Sequence, residues 1–352
     1  MTLNIGVIGV GMIGQDHIRR ITHVLSGARI SAVADADAQR AKTVADGLPA
    51  AMAHATGQDL INDPNVDAVI VTTWGPTHEE YVLACIAAGK QVFCEKPLAT
   101  TREACDRIID AEIAAGQRLV MVGFMRRYDA GYRAMKSSLL NGDIGAALVF
   151  HSAHRNPSVP DTVTTEGVIV DTCVHDIDTS RWLLDSEVVA AQLLTPRRSG
   201  LAAAELQDPL ILVLEMANGV LVDIEAAVNI SYGYDIRGEI LGESGTIELA
   251  ESSPIIIKRN GLYAGRVPAD WRERFIRAYD IELQEWIEAV TAGHSTGPSS
   301  WDGYAATVVT DAGIEASRSG QRATVTMREK PELYQVQAPS SENSKTPVRS
   351  AS

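Results

Sequence analysis

The sequence predicts an α/β domain with a doubly wound parallel sheet, followed by an α+β domain built on a mostly antiparallel open sheet. Three observations predict this. Short apolar runs alternate with helical patterns through the first third of the chain. A glycine-rich turn separates the first run from the first helix. Beyond about residue 125, strand-like segments follow one another and the helices stand apart. Alternation implies β-α-β units with both sheet faces covered, and succession implies segregated layers.

In order, residues 3–9 read as a buried strand and 13–25 as a helix, then 29–34 and 37–46 as the next pair. Residues 67–72 form a strand, 77–88 a helix, 91–94 a strand and 101–115 a helix, and 118–123 closes the series. Thr77 with Glu80, and Thr100 with Glu103, have capping-box spacing. In the second part, residues 146–154, 188–195, 210–216, 220–230, 236–241, 246–249 and 255–258 read as strands, with turn signals at 217–219 and 242–245. Helical patterns interrupt them at 130–140, 167–184, 274–292 and 301–319. The division expected is 1–124, 125–335 and a Ser- and Pro-containing tail, 336–352, that lacks periodicity and reads as disordered.

Composition narrows the function classes. The chain has 352 residues, long enough for about two domains. Its 31 Lys and Arg against 45 Asp and Glu leave a net charge of −14, which repels phosphate backbones and anionic lipid. Nucleic acid and membranes are therefore not expected partners. No uncharged apolar run is long enough to span a bilayer, and no leader pattern precedes the first strand. Cys85, Cys94, Cys105 and Cys173 form no C-x-x-C pair, which argues against zinc and suits a reducing cytoplasm. No metal is expected.

Gly9-Val10-Gly11-Met12-Ile13-Gly14 is a complete G-x-G-x-x-G placed between a strand and a helix, the Rossmann dinucleotide fingerprint. Gly9 makes the tight turn, Gly11 lets backbone approach a pyrophosphate, and Gly14 lets the helix pack close. The N–H groups of Met12 and Ile13 then face the phosphates. Asp35 ends the second strand about 20 residues further on, where an acid meets the ribose hydroxyls. A carboxylate there repels a 2′-phosphate, and neighbouring Ala36 and Asp37 supply no cation, so NAD is favoured over NADP.

Two segments, Thr72-Thr73-Trp74-Gly75-Pro76 and Cys94-Glu95-Lys96-Pro97, follow strands of the parallel sheet. Ligands bind at that end of such sheets, so Thr73, Trp74, Glu95 and Lys96 should face the cofactor, with His78 at its edge. Lys96 offers a cation beside a reacting oxygen. Asp171 and His175 lie four apart in a helical pattern, one turn apart on one face. His is the natural base near neutral pH, and Asp171 should orient it and raise its pKa. A surface ion pair is the competing reading. His154 and Asn156 share a face at a strand end. With residues 123–128 and 232–235 they are candidates for a substrate cleft or for loop packing.

These residues resemble the glucose-fructose oxidoreductase / inositol dehydrogenase / rhizopine catabolism family. The glycine fingerprint is generic, the Glu95-Lys96-Pro97 segment is family-level, and residues 74–76, 123–129, 154–157, 170–172, 175–178, 232–235 and 330–335 resemble the branch that oxidises inositol at carbon 2. The resemblance spans residues 1 to about 335. It implies that Lys96, Asp171 and His175 are catalytic, and that Arg127, His154, Asn156 and Tyr234 contact substrate. It also implies a homotetramer assembled through the open sheet face. Residues 210–214, apolar at both parities, suit a strand covered on both sides.

The activity implied is NAD-dependent oxidation of a ring secondary alcohol, myo-inositol to its 2-keto form, in inositol catabolism. Two other readings stand beside it. One is a dehydrogenase of another cyclitol or pyranose. The other, from a different class, is a non-catalytic NAD and sugar sensor that binds a partner protein.

Overall fold

The computed structural model describes residues 2–250, 253 and 255–335. The expected tail at 336–352 lies outside the described residues. The first six strands are β1 (Leu3–Ile8), β2 (Ala28–Ala34), β3 (Met52–His54), β4 (Ala68–Val71), β5 (Gln91–Glu95) and β6 (Val120–Gly123). They form one parallel sheet in the order β3-β2-β1-β4-β5-β6. The order reverses at β1, so the crevice beyond the carboxyl ends of β1 and β4 is the switch point where ligands bind. Ala68–Val71 is buried at every residue, as a strand covered on both faces must be.

The helices between these strands are α1 (Met12–His23), α2 (Ala38–Asp46), α3 (Gly57–Asn62), α4 (His78–Ala87) and α5 (Arg102–Ala115). The sequence reading passed over β3 and α3, which are too short to show a period. It also placed the α5 cap one residue early. Thr101, not Thr100, accepts from the Ala104 N–H at 3.2 Å. Thr77 does not cap α4 with its side chain. Its hydroxyl turns back to the Trp74 carbonyl at 2.7 Å instead.

The second sheet comprises β7 (Ala147–Arg155), β8 (Val188–Leu194), β9 (Leu210–Met216), β10 (Leu221–Ala227), β11 (Asp235–Gly242) and β12 (Thr246–Glu248), with β15 (Ala323–Thr324) at one edge. A separate hairpin pairs β13 (Ile257–Arg259) with β14 (Leu262–Ala264). The sheet runs β12-β11-β7-β10-β9-β8-β15, and only the β7–β10 pair is parallel. Its helices are α6 (Ala130–Asn141), α7 (Thr165–Val168), α8 (Val174–Leu184), α9 (Trp271–Thr291) and α10 (Ser300–Ser319). They cover one face. Gly313 of α10 lies against Leu212, and Asp176 of α8 bonds Ser152 of β7. The opposite face carries Val149, Ile211, Val213, Leu221 and Leu241, with Leu221 and Leu241 exposed.

α9 returns to the first sheet. Buried Arg20 of α1 pairs with Asp16 at 2.7 Å and with Asp280 of α9 at 2.5 Å. Trp286 packs on Phe93, ring centroids 5.9 Å apart. These contacts hold the second part of the chain over the switch point. Breaking a buried ion pair of this kind costs about 3–5 kcal/mol.

Candidate active site

The nucleotide cradle begins where β1 ends. Gly9 has φ +90°, and a Cβ there would lie 2.7 Å from the Thr72 backbone. Gly14 packs so closely that a Cβ would stand 2.1 Å from the Gly9 carbonyl oxygen. Gly11 opens onto free space, with nothing within 4 Å of a Cβ. It precedes α1, whose first turn has no side-chain cap and no acidic residue. Uncapped N–H groups at an open glycine are what a pyrophosphate requires. The cradle, a hollow of about 480 Å³, continues past Asp35, Arg40, Thr73, Trp74 and Tyr81.

Asp35 accepts from the Val10 and Asp37 N–H groups, each at 2.8 Å, and from Arg40 Nη2 at 2.6 Å. Burial works to raise its pKa, but the Arg40 hydrogen bond and the two N–H bonds outweigh it, so the carboxylate stays ionised with a pKa below its usual value. The sequence reading found no cation beside Asp35. Arg40 supplies one from the first turn of α2, five residues away in sequence and adjacent in space.

A second hollow, about 300 Å³, meets the first at Thr73 and lies between the two sheets. That volume is at the lower end for a small-molecule site, roughly 300–1,000 Å³. Lys96, His154, Asn156, Asp171, His175 and Tyr234 all face it, with Glu95 and Ile13 at the cofactor end. Met125 and Thr172, from the segments 123–128 and 170–172, also line it, as do Trp271 and Tyr279, which no local pattern signals. Trp271 and Tyr279 arrive from α9, which lies far along the chain, and only long-range packing brings them here.

Lys96 spans the cleft. Its ammonium donates to the Asp171 backbone carbonyl at 3.1 Å and stands 3.8 Å from Asp171 Oδ1. Asp171 and His175 do not stack as an α-helical i, i+4 pair. A π-helical turn over Ile169–Cys173 widens the coil between them. The Asp171 side chain is 70% exposed while His175 is buried. No hydrogen bond joins them among the described residues, and His175 Nδ1 has no partner there. The expected upward shift is therefore corrected. Burial first, then the charges of Lys96 and Arg126, hold the His175 imidazole well below its usual 6.5.

Behind the cleft wall, buried Asp176 bonds Arg126, Ser152 Oγ at 2.7 Å and His154 Nδ1 at 3.0 Å. Tyr234 Oη lies 3.2 Å from His154 Nε2.

Two further expectations are corrected. Arg127 does not reach the cleft. Its guanidinium is taken up by buried Asp178 and by Asp302 at 2.8 Å, where it ties α8 to α10. His78 is buried, with Nδ1 2.7 Å from the Pro97 carbonyl and Nε2 3.0 Å from that of Thr73. It braces the two loops that carry Thr73 and Lys96 and leaves no ring nitrogen for the cofactor. Met12, expected at the phosphates through its N–H, presents its side chain to solvent, 65% exposed.

Residues 3–124 match the model of an oxidoreductase family with an NAD-binding Rossmann fold, and residues 136–327 match that family's C-terminal alpha/beta domain. The chain is 52% identical to inositol 2-dehydrogenase 3 of Saccharopolyspora erythraea over 95% of its length and 98% of the relative's. It is 51% identical to inositol 2-dehydrogenase of Azotobacter vinelandii over 95% and 99%. Myo-inositol dehydrogenase from Lactobacillus casei, solved in complex with NAD(H) and myo-inositol, superposes with a TM-score of 0.93 at 37% identity, covering 95% of this chain and all of that one. Matches of this extent, on a chain that carries the glycine turn, Asp35 and the two-sheet architecture, place it in a family: the chain belongs to the oxidoreductase family that joins an NAD-binding Rossmann domain to a C-terminal alpha/beta domain.

Proposed function

We propose that this protein oxidises myo-inositol at carbon 2 to 2-keto-myo-inositol, with NAD as acceptor, in inositol catabolism. One observation carries the reading. Lys96, His175, His154 and Tyr234 converge on one cleft that opens into the nucleotide cradle at Thr73. Relatives about half identical along nearly their whole length are named inositol 2-dehydrogenase, which supports the substrate. In this reading residues 1–124 hold NAD and residues 125–335 supply the substrate wall and the assembly surface.

When bound, NAD would supply the acceptor for the hydride that leaves the carbinol carbon. The backbone from Gly9 to Gly14 would hold the pyrophosphate, and Asp35 the adenosine ribose. Lys96, anchored on the Asp171 carbonyl, directs its ammonium at the reacting oxygen and polarises it. His175 takes the hydroxyl proton. Burial and the nearby Lys96 charge keep its imidazole neutral, the form that accepts a proton. Asp171 serves this site by anchoring Lys96 rather than by orienting His175. Asn156, His154 and Tyr234 offer the mixed donors and acceptors that a polyol needs.

No helix among the described residues is long and apolar enough to cross a membrane. We place the protein in the cytoplasm, where its four free, buried cysteines stay reduced. Copies assemble as a homotetramer through the uncovered face of the second sheet, where apolar Leu221 and Leu241 are exposed.

The test is NADH formation across a panel of inositols and aldoses. The reading expects turnover of myo-inositol, faster with NAD than with NADP. Tight NAD binding with no turnover of any polyol would favour a sensor instead.

A further inference from the structure

The wall of the polyol cleft rests on a buried carboxylate. Asp176 and Arg126 are almost fully enclosed, Tyr234 and His175 face the His154 ring, Ser152 bonds Asp176, and the Lys96 charge also acts on the ring. Asp176 Oδ1 accepts from Arg126 and from Ser152 Oγ, and Asp176 Oδ2 stands 3.0 Å from His154 Nδ1. On the other side of the ring, Nε2 meets Tyr234 Oη at 3.2 Å, beside the cleft.

A neutral imidazole has one N–H, and its position decides what the opposite nitrogen offers. An ionised carboxylate can only accept. A bare Nδ1 would set two lone pairs against each other in a site closed to water. Arg126 Nη2 also lies 2.9 Å from Nδ1, but Arg126 already has an acceptor in Asp176 Oδ1, whereas Asp176 Oδ2 faces only Nδ1 among the described residues. An Nδ1–H satisfies Asp176 Oδ2, which meets no other donor there. Arg126 donates to Asp176 Oδ1, Tyr234 donates to Nε2, and Nδ1–H donates to Asp176 Oδ2.

We propose that Asp176 is a positioning residue for polyol recognition. It fixes His154 as the Nδ1–H tautomer, so that Nε2 accepts the Tyr234 hydroxyl proton and the Tyr234 oxygen, which lines the cleft, is left to accept a substrate hydroxyl. Burial and the Arg126 charge keep the His154 ring neutral, consistent with that role. The sequence hides this relation. Asp176 directly follows His175, yet its partner is His154 on a neighbouring strand. The inference rests on the polyol reading for its substrate but not for the tautomer, so two measurements separate the failures.

The first needs no substrate. In the full-length protein with 15N-labelled histidine, His154 should show a protonated Nδ1 and a bare Nε2. In Asp176→Asn the amide NH2 faces Nδ1, and the proton should move to Nε2. A wild-type ring protonated on Nε2 overturns the proposal, whatever the protein oxidises.

The second is a kinetic cycle with myo-inositol. Asp176→Asn should raise KM about tenfold, the scale of a buried hydrogen bond left unmade, with NAD affinity unchanged. In a His154→Ala background the same change should add less than about twofold, because coupled residues do not add. Additive losses overturn the proposal. Should Asp176→Asn not fold, Ser152→Ala removes one of the bonds that orient Asp176 and enters the same cycle. Its KM increase should likewise vanish without His154, and an undiminished increase overturns the proposal.

Discussion

Lys96 and Asp171 join the two halves of the molecule across the cleft, the ammonium resting on the Asp171 backbone carbonyl at 3.1 Å. The side-chain oxygen is further away, 3.8 Å, on a carboxylate that is mostly exposed. The main anchor is therefore a peptide carbonyl, which survives substitution of the Asp171 side chain. Lys96→Ala should bind NAD as the wild type does and lose most polyol turnover. Asp171→Asn should cost far less. Titrating NAD by fluorescence and measuring turnover at saturation checks both. Loss of NAD affinity with normal turnover in Lys96→Ala would make Lys96 a cofactor ligand only.

Cofactor choice turns on Asp35 and on the Arg40 that it holds. Asp35→Ser removes the charge that opposes a 2′-phosphate and releases the guanidinium now bonded at 2.6 Å. The ratio of kcat/KM for NADP over NAD should rise about tenfold or more, the scale of one charge-assisted hydrogen bond. Wild-type protein that used both cofactors equally would contradict the role given to Asp35.

Glu282 of α9 is fully buried, and neither of its oxygens has a partner among the described residues. Burial, then the Glu95 charge, pushes its carboxyl well above the usual 4.5. The folded state thus keeps a proton that the unfolded chain releases above about pH 4.5. The stability this provides is full below that pH and is lost as pH rises towards the folded value. Glu282→Gln removes the dependence. Relative to wild type, it should gain about 1.4 kcal/mol per pH unit between the two values. Urea unfolding at fixed protein concentration from acid to neutral pH measures this. A difference that does not change with pH contradicts it.

The sequence carried the parallel domain well because its signals are local. A strand, a glycine turn and an acid at the next strand end lie within a few dozen residues and share one physical cause, the phosphate cradle. The cleft lysine and histidines were also legible, since strand ends of such sheets face ligand. Legibility failed wherever function depends on contacts between distant segments. The family resemblance implied that Arg127 contacts substrate, but Asp178 and Asp302 neutralise it from other helices. His78 looked like a cofactor contact and proves to brace two loops. The Asp171/His175 pair was misjudged for a local reason. An unbroken α-helical period was assumed across Ile169–Cys173, where the backbone takes a wider turn. That turn separates the exposed carboxylate from the buried ring and reverses the direction of the pKa shift.

The central claim is that His175, kept neutral by its surroundings, takes the proton of a ring hydroxyl. Turnover of myo-inositol against pH at saturating NAD, for wild type and His175→Asn, tests it most directly. Because the His175 pKa lies well below 6.5, wild-type activity should stay level on this account as pH falls through the range where free histidine titrates, and drop only in more acid solution. His175→Asn should keep NAD affinity and lose about a hundred- to ten-thousand-fold in turnover. A His175→Asn enzyme within about threefold of wild type, too small a loss for a positioned base, would contradict the claim and leave Lys96 as the next proton acceptor to examine.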